Sequence, residues 1–218
     1  MVIFDCNGVL VDSEPLAAAI VSQEFMRAGF SLTPDIVARY FTGRRPADMF
    51  AEVEAAARRK LPPDFATKVA TATLRRFRAE LRATKHAAYA LSWLRGPKCV
   101  ASSSSIDRIR LSLQSTDLIR FFEPNLFSAS EVRNGKPAPD LFLHVAGRMH
   151  VQPAECIVVE DSAVGVAAGV AAGMTVIGFV GGSHATGQLG NHLRAAGAIK
   201  VISDLRALKS TIIDLRGW

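Results

Sequence analysis

The chain has 218 residues, 49% of them apolar, and a formal net charge of +6. This length suits one domain, or one domain with a sizeable insertion, and the apolar share excludes a disordered chain. The three cysteines, Cys6, Cys99 and Cys156, lie far apart, which favours buried thiols over a disulfide framework or a zinc site. No secretory leader or membrane-spanning run is evident, so we expect a cytoplasmic protein.

The positive charge does not by itself indicate a nucleic-acid partner. Basic residues are densest in residues 71–86, where Leu74, Phe77 and Leu81 form an apolar stripe at helical spacing. Because no nucleic-acid motif accompanies them, we interpret the arginines as the solvated face of a helix. We therefore expect no nucleic-acid or membrane partner, a monomer or weak homodimer, and a charge that is compatible with anionic small substrates.

The first predicted element is a buried strand over residues 1–5, which ends at Asp5. From Ser13 to about Thr84 the pattern is helical throughout. Thr33 and Pro34 have the residue types of an N-cap and a first helical position. The predicted helices cover residues 15–30, 32–41, 46–60 and 62–83.

After about residue 86, strand-like runs alternate with helices. The predicted strands cover residues 98–102, 122–129, 156–161, 175–180 and 198–204, with helices running to about Arg120, starting at Pro139 and following residue 161. Such alternation predicts an α/β fold with a parallel sheet, flavodoxin-like or Rossmann-like. We therefore predict a core domain of residues 1–13 and 86–218, interrupted by an inserted α-helical domain of residues 14–85.

Polar residues follow four of these strands, and ligands bind beyond the carboxyl ends of the strands in parallel sheets. The strand ends carry residues 5–7, 102–105, 135–137 and 160–161, which include three carboxylates, a lysine and several hydroxyls. Clustered carboxylates repel one another unless a cation joins them, and oxygen ligands suit Mg²⁺ together with a substrate phosphate. Asp5 is then a candidate nucleophile, because carboxylates form aspartyl-phosphates.

Four segments in order, FDCNGVLVDSEP, VASSSS, GKPAPD and VVEDSAVGVAAGVAAGM, resemble the motifs of the haloacid dehalogenase superfamily. The closest resemblance is to its phosphatase and phosphomutase branch with an inserted helical cap, and it covers essentially the whole chain. It implies a magnesium-dependent phosphatase of small phosphorylated metabolites, with sugar phosphates among the candidates. The implied residues are Asp5 as nucleophile, Ser102 and Ser103 at the phosphate, Lys136 beside them, and Asp5, Asn7, Glu160 and Asp161 at the Mg²⁺.

The segment FTGRRPAD resembles the cap loop of this superfamily, with Gly43 at the position of its glycine. Related sugar-phosphate phosphomutases have a lysine before that glycine and an arginine three residues after it. Thr42 and Pro46 stand there instead, so the phosphomutase alternative loses support. Arg44 and Arg45 follow the glycine, and two interpretations stay open: they bind an anionic substrate, or they are exposed arginines at a helix start.

The roles of three further groups of residues stay open. Asp12 and Ser13 either cap the first inserted helix or belong to the site. Ser103 to Ser105 can cap the next helix, with the Ser103 backbone N–H reaching a phosphate. His184 is a further candidate, because it follows the strand predicted over residues 175–180.

Asn7 departs from the phosphatase pattern, in which an aspartate occupies this position. That aspartate binds the metal through its backbone carbonyl and acts through its side chain as general acid and base. An asparagine keeps the carbonyl but cannot titrate, and general acid–base groups contribute ~10²–10⁴-fold. Three explanations remain: an engineered variant of an active phosphatase, a natural slow enzyme or silent phosphometabolite-binding protein, or related chemistry that needs no acid there.

Overall fold

The sheet is the central feature of the computed structural model, which describes residues 1–216. Within this range six parallel strands lie in the order β3-β2-β1-β4-β5-β6. This order is that of a Rossmann-like doubly wound sheet, so the predicted α/β class is confirmed. The strands are β1 (Val2–Phe4), β2 (Lys98–Ser102), β3 (Leu126–Ser128), β4 (Ile157–Glu160), β5 (Thr175–Phe179) and β6 (Lys200–Ile202).

Helices cover both faces of the sheet and form the insertion between β1 and β2. The inserted helices are α1 (Glu14–Arg27), α2 (Pro34–Phe41), α3 (Pro46–Ala57) and α4 (Phe65–Glu80). The others are α5 (Ala87–Trp93), α6 (Ile106–Ser115), α7 (Asp140–Arg148), α8 (Ala163–Ala171), α9 (Leu189–Ala195) and α10 (Leu208–Arg216). None of the helices in the described part of the chain is long and apolar enough to cross a membrane.

The sheet separates two apolar clusters, because neighbouring strand residues point to opposite faces. Ile3 packs with Cys99 and Val158 in one cluster, whereas Phe4 packs with Val100 in the other. These side chains are buried, as expected for a parallel sheet covered by helices on both faces. The three cysteine side chains are buried as well, which agrees with their expected packing role.

The inserted helices contain an apolar cluster of their own. Phe25 lies at its centre, with its ring centroid 4.8 Å from that of Phe65. The two connections to the sheet run side by side, since Thr84 N–H donates to the Leu10 carbonyl at 2.9 Å and Asp12 N–H donates to the Arg82 carbonyl at 2.9 Å. The insertion therefore leaves and rejoins the core at one place. The domain boundaries at residues 13/14 and 85/86 stay a prediction.

The predicted elements are mostly confirmed, with local corrections. Thr33 caps α2 as predicted, and its side chain accepts a hydrogen bond from Ile36 N–H at 3.3 Å. The strand predicted over residues 122–129 is limited to β3, because residues 122–125 form a turn that contains the cis Glu123–Pro124 bond. Three helices, α5, α9 and α10, were not predicted. Two of them, α5 and α9, have seven residues each, too few to show a helical period.

Candidate active site

The site residues predicted at strand ends meet at the carboxyl edge of the sheet. β1 and β4 are neighbours at the point where the strand order reverses, and Asp5 follows β1 while Glu160 ends β4. Ser102 ends β2, on the other side of β1. Crevices at such switch points are the usual ligand sites of doubly wound sheets. The topology therefore brings residues that are far apart in sequence to one place.

Lys136 links two of the carboxylates. Its Nζ donates to Asp5 Oδ1 at 2.6 Å, to the Ala101 carbonyl at 3.3 Å and to Glu160 Oε1, and all three charged side chains are buried. Burial alone would lower the pKa of Lys136, but Asp5 and Glu160 raise it above its ordinary value. Burial raises the pKa of Asp5, and the Lys136 ammonium opposes this shift. The lysine thus offsets the cost of placing two carboxylates in the interior.

Asp161 lies against the backbone of the loop after β1. Gly8 has φ +74°, and a Cβ there would lie 1.8 Å from Asp161 Oδ2, so only glycine fits. His184 Nε2 is 3.0 Å from the same oxygen, although the pair lacks hydrogen-bond geometry. Burial raises the pKa of Asp161 to about 6, against the opposing effect of His184. Burial would lower the pKa of His184, but Asp161 raises it above its usual value.

Asn7 contacts the loop after β2. Its Nδ2 donates to Ser104 Oγ at 2.9 Å, whereas its buried Oδ1 has no hydrogen-bond partner. The loop is tightened by Ser104 N–H, which donates to Ser102 Oγ at 3.3 Å. Ser105 caps α6 and accepts from Arg108 N–H at 3.4 Å, so the capping interpretation holds for this serine. The Asn7 amide therefore sits beside the proposed phosphate loop.

The loop with Gly43 closes onto the core. Ser103 Oγ donates to the Gly43 carbonyl at 2.8 Å, and a Cβ at Gly43, with φ +80°, would lie 2.3 Å from Ser162 Oγ. Arg44 lines the cavity described below, and its Nη1 donates to Glu52 Oε2 at 2.8 Å. The inserted loop therefore approaches both the Ser103 loop and the β4–α8 turn.

Arg45 lies elsewhere in this arrangement. It pairs with Asp48 at 2.9 Å and donates to the Arg133 carbonyl at 3.2 Å, so it joins the insertion to the core outside the cavity lining.

Asp12 and Ser13 do not cap α1 through their side chains. Instead Asp12 Oδ1 accepts from Ser183 N–H at 3.0 Å and from Ser183 Oγ at 2.8 Å. Asp12 thus anchors the loop that carries His184.

A cavity of about 70 Å³ lies between the core and the insertion. The lining comprises Asp5, Asn7, Glu14, Ala17, Ala18, Val21, Val37, Ala38, Phe41, Thr42, Gly43, Arg44, Pro46, Met49, Ser102, Ser103, Ser104, Arg108 and Asp161.

Four polar residues of this lining were not selected from the sequence as site residues: Glu14, Thr42, Ser104 and Arg108. Ser104 was assigned only a possible capping role. Arg108 falls in the first turn of α6, directly after the strand-end loop of β2, and that position was the available signal. Its lack of an ion-pair partner within residues 1–216 could not be anticipated from sequence, because contacts across the fold leave no local pattern.

The carboxylate oxygens at the sheet edge suit a Mg²⁺ ion that is bound by few protein ligands. Asp161 Oδ2 is buried and makes no hydrogen bond, with His184 Nε2 3.0 Å away, and a bound cation would satisfy this oxygen. Within residues 1–216 no group of three or more His, Cys, Asp or Glu side chains is arranged to hold a metal ion. Mg²⁺ does not require such a group, because it keeps several waters and commonly uses one or two carboxylates plus a substrate phosphate.

Comparison with known proteins agrees with the motifs. The family described as haloacid dehalogenase-like hydrolase matches residues 1–173. The chain is 33% identical over 184 residues to a 6-phosphogluconate phosphatase of Escherichia coli, covering 84% of this chain and 83% of that one. It is 30% identical over 204 residues to a phosphorylated carbohydrates phosphatase of Thermotoga maritima, covering 92% and 93%.

A solved structure agrees over the whole fold. A haloacid dehalogenase-like protein of unknown function from Agrobacterium tumefaciens superimposes with a TM-score of 0.83 at 35% identity, covering 99% of this chain and 98% of that chain. The family match spans most of the sequence, and the motif residues converge on one edge of the sheet. The chain therefore belongs to the haloacid dehalogenase-like hydrolases.

Proposed function

We propose that the protein is a magnesium-dependent phosphatase of small phosphorylated metabolites, sugar phosphates in particular, that acts through an aspartyl-phosphate on Asp5. The observation that carries this proposal is the buried group in which Lys136 holds both Asp5 and Glu160 beside Asp161. The substrate class is supported by the relatives from Escherichia coli and Thermotoga maritima, which are a 6-phosphogluconate phosphatase and a phosphorylated carbohydrates phosphatase.

The residues of the chain have distinct roles in this reaction. The Asp5 carboxylate attacks phosphorus, and Lys136, 2.6 Å from it, favours the ionised carboxylate and reduces its repulsion of an anionic phosphate. The Ser102 hydroxyl and the Ser103 backbone N–H would hold phosphate oxygens. The residues that would hold Mg²⁺ are Asp5 and Asp161, with the Asn7 carbonyl and Glu160 nearby. When bound, the ion would neutralise the charge of the phosphoryl group.

Asn7 limits this chemistry. The leaving oxygen needs a proton, and the water that later attacks the aspartyl-phosphate needs a base, but an amide supplies neither. We therefore expect slow turnover. The second candidate function, a catalytically silent phosphometabolite-binding protein, is favoured by one observation. The Asn7 amide is already engaged, through its hydrogen bond to Ser104, in a loop that can still hold phosphate.

Phosphate release from a panel of phosphorylated metabolites, with Mg²⁺ and with EDTA, tests the proposal. We expect slow, magnesium-dependent release from sugar phosphates. Calorimetry of Mg²⁺ binding should show a loss of affinity in Asp161→Ala and none in the exposed control Asp214→Ala. Equal affinity in both variants would contradict the metal assignment. Ligand binding without any release would favour the silent binding protein.

A further inference from the structure

Arg108 carries a positive charge that has no carboxylate partner in the described residues. Its guanidinium lies over the Phe77 ring of α4, with Cζ 4.7 Å from the ring centroid. Its Nε is buried and makes no hydrogen bond, and no ion pair within 4.0 Å forms in residues 1–216. Burial lowers the pKa of Arg108, and Glu14 is the strongest opposing influence. The guanidinium is partly exposed at the cavity, and its unpaired charge and buried Nε leave room for an anionic partner there.

The other cations near the site are already paired. Lys136 contacts Asp5 and Glu160, Arg44 contacts Glu52, and Arg45 contacts Asp48. Arg108 shares the cavity lining with Asn7 and Ser104, so its guanidinium borders the same space as the proposed phosphate loop. An anion in this space can therefore reach Arg108 without displacing an internal carboxylate.

The opposite wall of the cavity offers little else to a polar substrate. It is formed by apolar side chains of the insertion, including Val21, Phe41 and Met49. Glu14 is the one carboxylate that the insertion adds to this lining, and it stays beyond ion-pair distance of Arg108. Because Arg108 attracts anions and Glu14 repels them, an anionic substrate group in this cavity is favoured in contact with Arg108.

We propose that Arg108 binds a second anionic group of the substrate, a carboxylate or a second phosphate, while the first phosphate lies at Asp5. A planar guanidinium matches either group with two parallel hydrogen bonds. The preferred substrates are then phosphorylated sugar acids or sugar bisphosphates rather than neutral sugar monophosphates. This inference rests on the proposed function, because it requires the first phosphate to bind at the core edge.

Two matched ligand pairs test the proposal by calorimetry in the presence of Mg²⁺. 6-Phosphogluconate and glucitol 6-phosphate differ in having a carboxylate or a hydroxymethyl group at the far end. Fructose 1,6-bisphosphate and fructose 6-phosphate differ by the second phosphate. In at least one pair, we expect the ligand with two anionic groups to bind roughly ten- to a hundredfold tighter than the ligand with one, as charged hydrogen bonds provide. The pair that shows the preference identifies the chemistry of the group.

Variants assign the preference to Arg108. In Arg108→Met, which keeps a long apolar side chain against Phe77, the preference should fall to about one, and Arg108→Lys should retain part of it. Arg110→Met is the matched control, because Arg110 lies on the same helix, is exposed and pairs with Glu123 at 3.2 Å. It should leave the preference intact. Circular dichroism verifies that each variant is folded.

Equal binding within both pairs by the unaltered protein would overturn the proposal, and this result needs no variant. A preference that survives in Arg108→Met would also overturn it. Either result, with binding of the monophosphates retained, leaves the proposed function standing. Binding of none of the four ligands, together with no phosphate release, would instead overturn the proposed function and the inference with it.

Discussion

The sheet edge and the helical insertion form opposite walls of one cavity, and they differ in kind. The sheet edge is polar and tightly connected, since Lys136 bonds to two carboxylates and Asn7 bonds to the Ser104 loop. The wall from the insertion is mostly apolar, and its arginine at the cavity, Arg44, is paired with Glu52. The core therefore supplies most of the charged groups at the cavity, including Arg108, which is unpaired within residues 1–216, whereas the insertion supplies a mostly apolar cover.

Of the substitutions considered, Lys136→Met at the sheet edge should have the largest effect on stability and on phosphate binding. Removing one partner of a buried ion pair leaves uncompensated charges and costs about 3–5 kcal/mol. We expect this decrease in the free energy of unfolding, measured by urea denaturation in EDTA, together with loss of orthophosphate binding. The exposed control Lys68→Ala, whose pair with Asp64 lies at the surface, should change the unfolding free energy by about 0–1 kcal/mol. Unchanged phosphate binding in Lys136→Met would remove this lysine from the site.

Gly43→Ala tests how the two walls meet. The added Cβ would lie 2.3 Å from Ser162 Oγ and would hold the insertion loop away from the core. A misplacement of about 1 Å can cost up to ~10²-fold in rate, so kcat/KM for a sugar phosphate should fall by up to that factor. Gly173→Ala is the matched control, with φ +73° and no atom within 4 Å of the added Cβ. Equal kcat/KM in the two variants would show that the approach of the Gly43 loop to Ser162 does not affect the reaction.

Gly8→Ala separates metal binding from backbone strain. Its φ of +74° nearly equals that of Gly173, but only the Cβ at residue 8 would collide with Asp161. Gly173→Ala should lose roughly 1–2 kcal/mol of stability, because it places an alanine in the left-handed region. Gly8→Ala should lose at least as much, because its Cβ also meets Asp161. Only Gly8→Ala should weaken Mg²⁺ binding, by about 10–100-fold, as changes beside metal ligands do. Equal Mg²⁺ affinities by calorimetry would contradict the placement of Asp161 at the metal.

Arg44→Ala should have the smallest effect. The Arg44 charge is already satisfied by Glu52, which is itself half exposed, so the unfolding free energy should change by about 0–1 kcal/mol. For anionic sugar phosphates we expect KM to rise less than in Arg108→Met, because Arg108 has no internal partner. Thermal denaturation and steady-state kinetics on the two variants measure both quantities. A larger increase of KM in Arg44→Ala would assign the substrate anion to the insertion.

The sequence predicts the sheet-edge side of the cavity better than the side formed by the insertion, for a physical reason. The core residues stand at strand ends, and the alternation of strands and helices brings strand ends together without any knowledge of side-chain contacts. The contact between Asn7 and Ser104 joins residues 97 positions apart. Arg108 is unpaired because no carboxylate of the described residues folds to within ion-pair distance of it. Neither leaves a periodic or local signal.

The insertion shows the same limit. Its helices were predicted from their apolar periods, and the N-cap at Thr33 from its residue type. The different surroundings of Arg44 and Arg45 were not predictable, although the two are adjacent and identical in type. One lines the cavity, while the other reaches the Arg133 carbonyl, because the direction of a side chain depends on how the loop packs against the core.

The central claim is that the site retains metal and phosphate binding and lacks only the proton-transferring side chain, and Asn7→Asp tests it most directly. An aspartate there can still accept a hydrogen bond from Ser104. We predict that phosphate-ester turnover with Mg²⁺ rises by about 10²–10⁴-fold, with a much smaller change in Mg²⁺ affinity. Peptide mass analysis must show that the Asn7 protein is not deamidated at Asn7–Gly8. A folded, magnesium-binding Asn7→Asp protein that cleaves no phosphate ester, or an intact Asn7 protein that is equally fast, would contradict the claim.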